Sequence, residues 1–239
     1  MSNILKNKNC LVTGATGGIG KELVNMLVMN GCNVFLTSKS EKKLSTFVKQ
    51  LKQKSTKKIS YTATDLNNLK DIKKLLKKVK TTFGSVDILI NSAGVFMMKS
   101  IKDSTIDNYD NSFNVNLRAA FLLSKEFSND MIEKKWGRII NIGSSSSYAA
   151  FANTSLYCSS KHAILGLSRS LQIELKEHNI RVLCISPGST KTELAKISTD
   201  QDFNTFLNPK EVAEFIIFAI SFDAEMILDE IRLNRMTVK

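Results

Sequence analysis

The chain has 239 residues, 43% hydrophobic and 23% charged, with a formal net charge of +12, which is the make-up of a globular protein rather than a disordered one. Its four cysteines form no C-x-x-C pair and its two histidines lack ligand-spaced partners, so neither a disulfide framework nor a metal site is expected. The N-terminus lacks the apolar stretch of a signal peptide, and no segment reaches the roughly twenty apolar residues of a membrane span; a cytoplasmic protein with no membrane partner is expected.

In chain order, short apolar runs alternate with amphipathic segments. The first run, 10–13, enters T-G-A-T-G-G-I-G (13–20), which opens a helix over 18–30. Gly14 suits a tight turn, Gly18 lets backbone approach a pyrophosphate, and Gly20 permits close helix–sheet packing; Thr16 and Ile19 belong to the same cofactor-binding turn. The helix N-terminus favours the negative charge of a diphosphate. A second run, 33–37, ends in L-T-S-K-S with no acidic residue at the point where one would bind an adenosine ribose. Ser38 and Lys39 can instead attract a 2′-phosphate, so NADP(H) is expected over NAD(H).

A helix over 41–53, a strand over 59–62 and a helix over 68–82 follow. Fourteen lysines lie between Lys39 and Lys80 against only Glu41, Asp65 and Asp71. Most fall at helical spacing with Leu44, Phe47, Val48 and Leu51, or with Ile72, Leu75, Leu76 and Val79, the pattern of solvated outer faces. With no arginine, few aromatics and no nucleic-acid module in the stretch, nucleic acid is not the expected partner.

Strands over 86–90, 138–142 and 181–185 alternate with helices over 105–134 and 155–178, and a final unit has a helix over 209–220 and a strand over 225–233. Strands that are apolar throughout are covered on both faces. The fold class is therefore α/β, a single-domain Rossmann fold over 1–239 with a doubly wound parallel sheet of about seven strands. Such sheets bind ligands at their strands' carboxyl ends.

Tyr157 and Lys161, four residues apart on the helix at 155–178, share one face. A phenol beside an ammonium is a candidate proton donor, because the positive charge favours the phenolate and lowers the phenol's pKa. Thirteen residues earlier, Ser144 closes the run I-I-N-I-G-S, where its hydroxyl is placed to orient a substrate oxygen.

At this point the chain resembles the short-chain dehydrogenase/reductase family. The glycine turn matches that family's T-G-x-x-x-G-x-G and the pair matches its Y-x-x-x-K. Asp65-Leu66, N-S-A-G (91–94), V-N-L around Asn116 and P-G-S-T-K-T (187–192) follow in the right order, so the resemblance spans about 8–192. It implies that Asp65 and Leu66 contact the adenine, that Asn91, Ala93 and Gly94 line the cofactor cleft, and that Pro187, Gly188 and Thr192 hold the nicotinamide carboxamide. It implies hydride transfer between NADPH and a carbonyl or secondary alcohol, with a catalytic set of Asn116, Ser144, Tyr157 and Lys161. Tyr157 would be the general acid/base and Ser144 the oxyanion donor. Lys161 would depress Tyr157 and hold the nicotinamide ribose, and Asn116 would position a water.

Three departures stand out. Ser92 replaces the commoner second Asn, Gly17 occupies a position often basic in NADP-preferring members, and the tail reads I-R-L-N-R-M-T-V-K rather than V-D-G-G. A short polar substrate lid is expected at about 189–208. The nearest functional resemblance is to 3-oxoacyl-carrier-protein reductases, whose acidic carrier would suit the basic surface. The short lid and altered tail slightly favour a reductase for a small ketone, aldehyde or sugar-derived carbonyl instead, and the rival of another class is a catalytically silent nucleotide-binding sensor. By resemblance, a homodimer or homotetramer through the helices at 105–134 and 155–178 is also expected.

Overall fold

A computed structural model of the protein describes residues 4–197 and 201–236. Seven strands, β1 (Asn9–Thr13), β2 (Asn33–Ser38), β3 (Ile59–Ala63), β4 (Ile88–Asn91), β5 (Gly137–Ile142), β6 (Ile180–Pro187) and β7 (Glu230–Leu233), form one sheet in the order β3-β2-β1-β4-β5-β6-β7. Every neighbouring pair is parallel. Helices α1 (Gly18–Met29), α2 (Glu41–Lys52), α3 (Leu69–Phe83), α4 (Ile106–Phe113), α5 (Ala119–Lys134), α6 (Ser155–Leu175) and α7 (Pro209–Ile220) provide the crossovers.

Successive strand residues point to opposite faces, which splits the core in two. Cys10, Val12, Ile88, Ile90 and Leu183 pack with α1, α2 and α7 on one side. Leu11, Leu89, Ile139 and Val182 pack with α3 and α5 on the other. The fold is thus the single-domain, doubly wound Rossmann sheet that the alternation implies. The lysine-rich helices bury one stripe each, Leu44, Phe47, Val48 and Leu51 on α2 and Ile72, Leu75 and Val79 on α3, while their helix lysines are exposed. Ser40 and Asn68 cap the two helices through backbone N–H bonds.

Two elements differ from expectation. The segment read as one helix over 105–134 is interrupted by a π-helical turn at Asn114–Arg118, because the Asn116 side chain clasps the backbone of Val95 across the helix end. The last strand is only Glu230–Leu233. Upstream of it the backbone wraps around the Arg181 guanidinium, which donates to the carbonyls of Met226 (2.8 Å) and Ala224, so that stretch turns around a side chain instead of pairing with β6.

The order reverses between β1 and β4, and there the carboxyl ends open into a cleft of about 1140 Å³.

Candidate active site

The glycine turn after β1 forms one wall of the cleft. Gly14 adopts φ +63°, and a Cβ there would lie 2.8 Å from the Ala93 backbone. A Cβ on Gly20 would lie 2.3 Å from the Gly14 carbonyl oxygen, so helix and turn touch directly. Gly17 is the N-cap of α1 with no side-chain cap, and no acid occupies the first turn. Uncapped N–H groups and the helix dipole therefore face the cleft, the donor set an anionic diphosphate requires. Thr16 donates from Oγ1 to Ser38 Oγ (3.0 Å), tying the turn to the end of β2. Ile19 and Leu66 also line this end. Lys39 is largely exposed and its Nζ lies 2.7 Å from Asp65 Oδ2. That ion pair and the Asn67 backbone N–H hold the Asp65 carboxyl below its ordinary range.

Beyond β4, Ala93 and Gly94 line the cleft but Asn91 does not. The Asn91 side chain is buried and donates to Asn141 Oδ1 (2.8 Å), and Asn141 donates to Ser168 Oγ (2.9 Å). Asn91 thus ties β4 to β5 and α6, with its side chain behind the cleft lining. Placement of the loop falls partly to Thr13, whose buried Oγ1 accepts from the N–H groups of Ser92 (3.1 Å) and Ala93 (3.0 Å). Thr13 was visible in sequence only as the first letter of the glycine motif, although its register opposite Asn91 fixes this role.

Asn116 lies behind the cleft wall. Its Oδ1 accepts from Val95 N–H (2.8 Å), and its Nδ2 donates to Val95 C=O and to Ser160 Oγ, both at 3.0 Å. Ser160 in turn donates to the Tyr157 carbonyl (2.8 Å). Both amide hydrogens are engaged, so the side chain positions the Gly94–Val95 loop against the Tyr157 turn and has no N–H left for a water. Ser160 was not singled out in the sequence; its place three residues after Tyr157 is the only signal.

Ser144, Tyr157 and Lys161 do come together on the cleft. The serine run divides by burial: Ser146 and Ser147 are buried, and Ser147 Oγ caps the Ser144 N–H (3.1 Å). Ser144 Oγ accepts from Ser146 N–H (3.1 Å), which leaves its hydroxyl proton free to donate. The Tyr148 hydroxyl donates to Glu230 (3.0 Å), the Arg169 guanidinium also bonds Glu230, and Arg232 stacks 3.4 Å over the Tyr148 ring. These contacts lock the serine turn to β7 and α6. Phe96, absent from the sequence reading, packs edge-on against Tyr157 with ring centroids 4.7 Å apart. On the far side, Gly188 N–H donates to Leu233 C=O (2.7 Å), Pro187 ends β6, and Thr192 lies over Gly18, where a Cβ would come within 2.5 Å of Thr192 Cγ2.

The short chain dehydrogenase family profile matches residues 8–202. The chain belongs to that family. An uncharacterized oxidoreductase of Staphylococcus aureus (strain MW2) is 30% identical over 231 residues, 97% of this chain and 98% of the relative. A Staphylococcus saprophyticus oxidoreductase is 30% identical over 230 residues, covering 96% and 98%. Among solved structures, a metagenomic short-chain oxidoreductase in complex with NADP superposes with a TM-score of 0.84 at 26% identity, covering 98% of this chain and 99% of that one. The Thermococcus sibiricus alcohol dehydrogenase, complexed with 5-hydroxy-NADP, shares the fold with a TM-score of 0.88 at 23% identity, covering 98% of each chain.

The electrostatics of this short-chain dehydrogenase differ from expectation at one point. Burial pushes the Tyr157 phenol above its ordinary value, and a hydrogen bond with Ser144 opposes this in part. The Lys161 Nζ is turned to the carbonyl of Ile142 (2.7 Å) and lies 5.7 Å from the centre of the Tyr157 ring. Lys161 is only 5% exposed, and desolvation pushes its pKa down to about 8. A Cβ on Gly94 would lie 3.7 Å from that ammonium, so the glycine keeps space beside it. Among the described residues no cluster of His, Cys, Asp or Glu could hold a metal, and no helix is long and apolar enough to cross a membrane.

Proposed function

We propose that the protein is an NADP(H)-dependent oxidoreductase acting on a carbonyl or secondary alcohol, with Tyr157 as general acid/base. The observation that carries this reading is the meeting of Ser144 and Tyr157 hydroxyls on the cleft with the buried Lys161 ammonium behind them. The glycine turn and uncapped α1 N-terminus fit a diphosphate, and Ser38 and Lys39 fit a 2′-phosphate. When bound, NADPH supplies the hydride.

The chain's own groups then serve the oxygen. Ser144 donates to the negative charge growing there, an interaction worth ~3–4 kcal/mol where such donors have been removed. Tyr157, held protonated by its surroundings, delivers the proton, a role worth 10²–10⁴-fold. Lys161, at about 8, is charged at neutral pH yet close enough to neutrality to pass a proton back to the phenolate. Asn116 is a positioning residue in this scheme, and the segment at about 189–208 is the substrate lid.

Reduction of the 3-oxo group of an acyl chain on an acidic carrier protein is the finer reading, but the lysine faces of α2 and α3 flank β2 and β3, at the opposite end of the sheet from Ser144 and Gly188. A free small molecule fits that placement better. A homodimer or homotetramer belongs to the same proposal, with Phe121 and Ile173 exposed on α5 and α6. The decisive experiment screens NADPH consumption over a carbonyl panel with wild type and Tyr157→Phe. Loss of turnover with NADPH binding retained is expected. Wild-type-like turnover in the variant refutes the assignment, and binding without turnover in wild type identifies a nucleotide sensor instead.

A further inference from the structure

The substrate end of the cleft carries a cation that the chemistry above does not use. After β7 the chain turns inward, and Asn234 and Arg235 join the lining beside Gly188, Ser189 and Gln201. Arg235 donates from Nη1 to Thr205 Oγ1 and from Nη2 to Gln201 Oε1, each at 2.9 Å, and its guanidinium lies 5.1 Å from the centre of the Phe206 ring. Gln201 Oε1 also accepts from Ser189 Oγ (2.9 Å). All these partners are neutral. They fix the guanidinium without cancelling its charge, and among the described residues no carboxylate forms an ion pair with it.

Its place in the sheet separates Arg235 from the expected cofactor phosphates. The end of β7 is four strands from the glycine turn after β1, roughly 19 Å at ~4.8 Å per strand. Its neighbours are the ends of β6 and β5, which carry Gly188 and Ser144. The same cleft is lined by apolar Phe96, Met98, Phe151 and Leu194.

We infer that Arg235 determines specificity by binding an anionic group on the substrate, so that the preferred substrate is an oxo acid or a phosphorylated carbonyl compound with an apolar body. The inference rests on the carbonyl-reductase reading given above. A half-buried guanidinium fork binds carboxylate or phosphate through paired, charge-assisted bonds.

The test compares kcat/KM for an oxo acid with its methyl ester, and for a phosphorylated ketone with the free alcohol form, in wild type, Arg235→Met, Arg235→Lys and Thr205→Val. Arg235→Met is expected to lower kcat/KM for the anion at least tenfold more than for its neutral counterpart, with Arg235→Lys intermediate. Thr205→Val removes one strut but keeps the cation, so it should affect both members of a pair alike. Equal losses in Arg235→Met, or a wild type that prefers the neutral members, overturn the inference and make Arg235 a lid strut. Calorimetry with butyrate and methyl phosphate on NADPH-loaded protein separates this from the chemistry. Binding by wild type and not by Arg235→Met supports the anion site even if no carbonyl is turned over, in which case the reductase reading alone fails. Failure of wild type to bind either probe overturns the site, and the tighter probe identifies the anion.

Discussion

Replacing Lys161 by methionine should stabilise the protein while destroying its activity. Lys161 is buried with one protein partner for three donor hydrogens, the Ile142 carbonyl at 2.7 Å, and its pKa falls from 10.5 to about 8 through desolvation. Below pH 8 the lysine is charged in both the folded and the unfolded chain, and the fold bears the whole cost. At ~1.4 kcal/mol per pH unit the gap is worth about 3 kcal/mol. Between pH 8 and 10.5 the folded lysine loses its proton first, the unfolded chain binds more protons, and stability rises with pH. Methionine fills a similar volume without charge but leaves the Ile142 carbonyl without that donor, a loss of about 1 kcal/mol. The net gain at pH 7 is about 2 kcal/mol, or roughly 4–8 °C in Tm for a chain of this size. Thermal unfolding at fixed protein concentration, without cofactor, at pH 7, 9 and 10.5 measures it. The advantage of Lys161→Met should be largest at pH 7 and disappear by pH 10.5. A variant less stable than wild type at pH 7, or an advantage that does not change with pH, refutes the reasoning.

Tyr157 should titrate above 10 in the cofactor-free protein, since burial outweighs the Ser144 hydrogen bond; the ultraviolet difference between wild type and Tyr157→Phe across pH 8–12 reads this directly, and ionisation below 10 would mean that Lys161 governs the phenol after all. At the other end of the cleft, Ser38→Asp combined with Lys39→Asp should raise KM for NADPH at least tenfold and reverse the preference toward NADH. Asp65→Asn frees Lys39 from its exposed ion pair, so the NADPH-to-NADH ratio of kcat/KM should rise up to about fivefold, the ~1 kcal/mol limit for such a pair; contacts to adenine are common to both cofactors and cancel in the ratio.

The strands and helices were legible because most of the inner strands are largely apolar on both faces and helices such as α2 and α3 carry one buried stripe, both local patterns. What the sequence concealed depends on partners far along the chain. M-I-L at 226–228 reads as strand, but Arg181, 45 residues earlier than Met226 in hydrogen-bond separation, takes the carbonyls that a ladder would need. The helix break at Asn116 has no local cause, since its partner is the backbone of Val95. At the site, Gly14, Ser144, Tyr157 and Lys161 line one cleft. The Asn91 side chain lies behind that lining because Asn141 stands beside it in register. The direction of the Tyr157 shift was hidden too, because desolvation depends on what surrounds the ring, and Phe96 comes from a loop with no pattern of its own.

The groups proposed to serve the reaction and those proposed to choose the substrate are held by different means. Ser144, Tyr157 and Lys161 are braced by bonds rooted in the sheet and α6: Ser147 on the Ser144 N–H, Ser160 on the Tyr157 carbonyl, the Ile142 carbonyl on Lys161. The segment after β6 has a lighter attachment, with backbone bonds joining Ser189 and Lys191 to Leu207 and the Arg235 side chain gripping Gln201 and Thr205. A change at Arg235, Gln201 or Thr205 therefore leaves every brace on the proton-transfer groups in place. On the proposed roles, substrate choice would be separable from chemistry, and the departure of the tail from the family pattern is where that choice would be written.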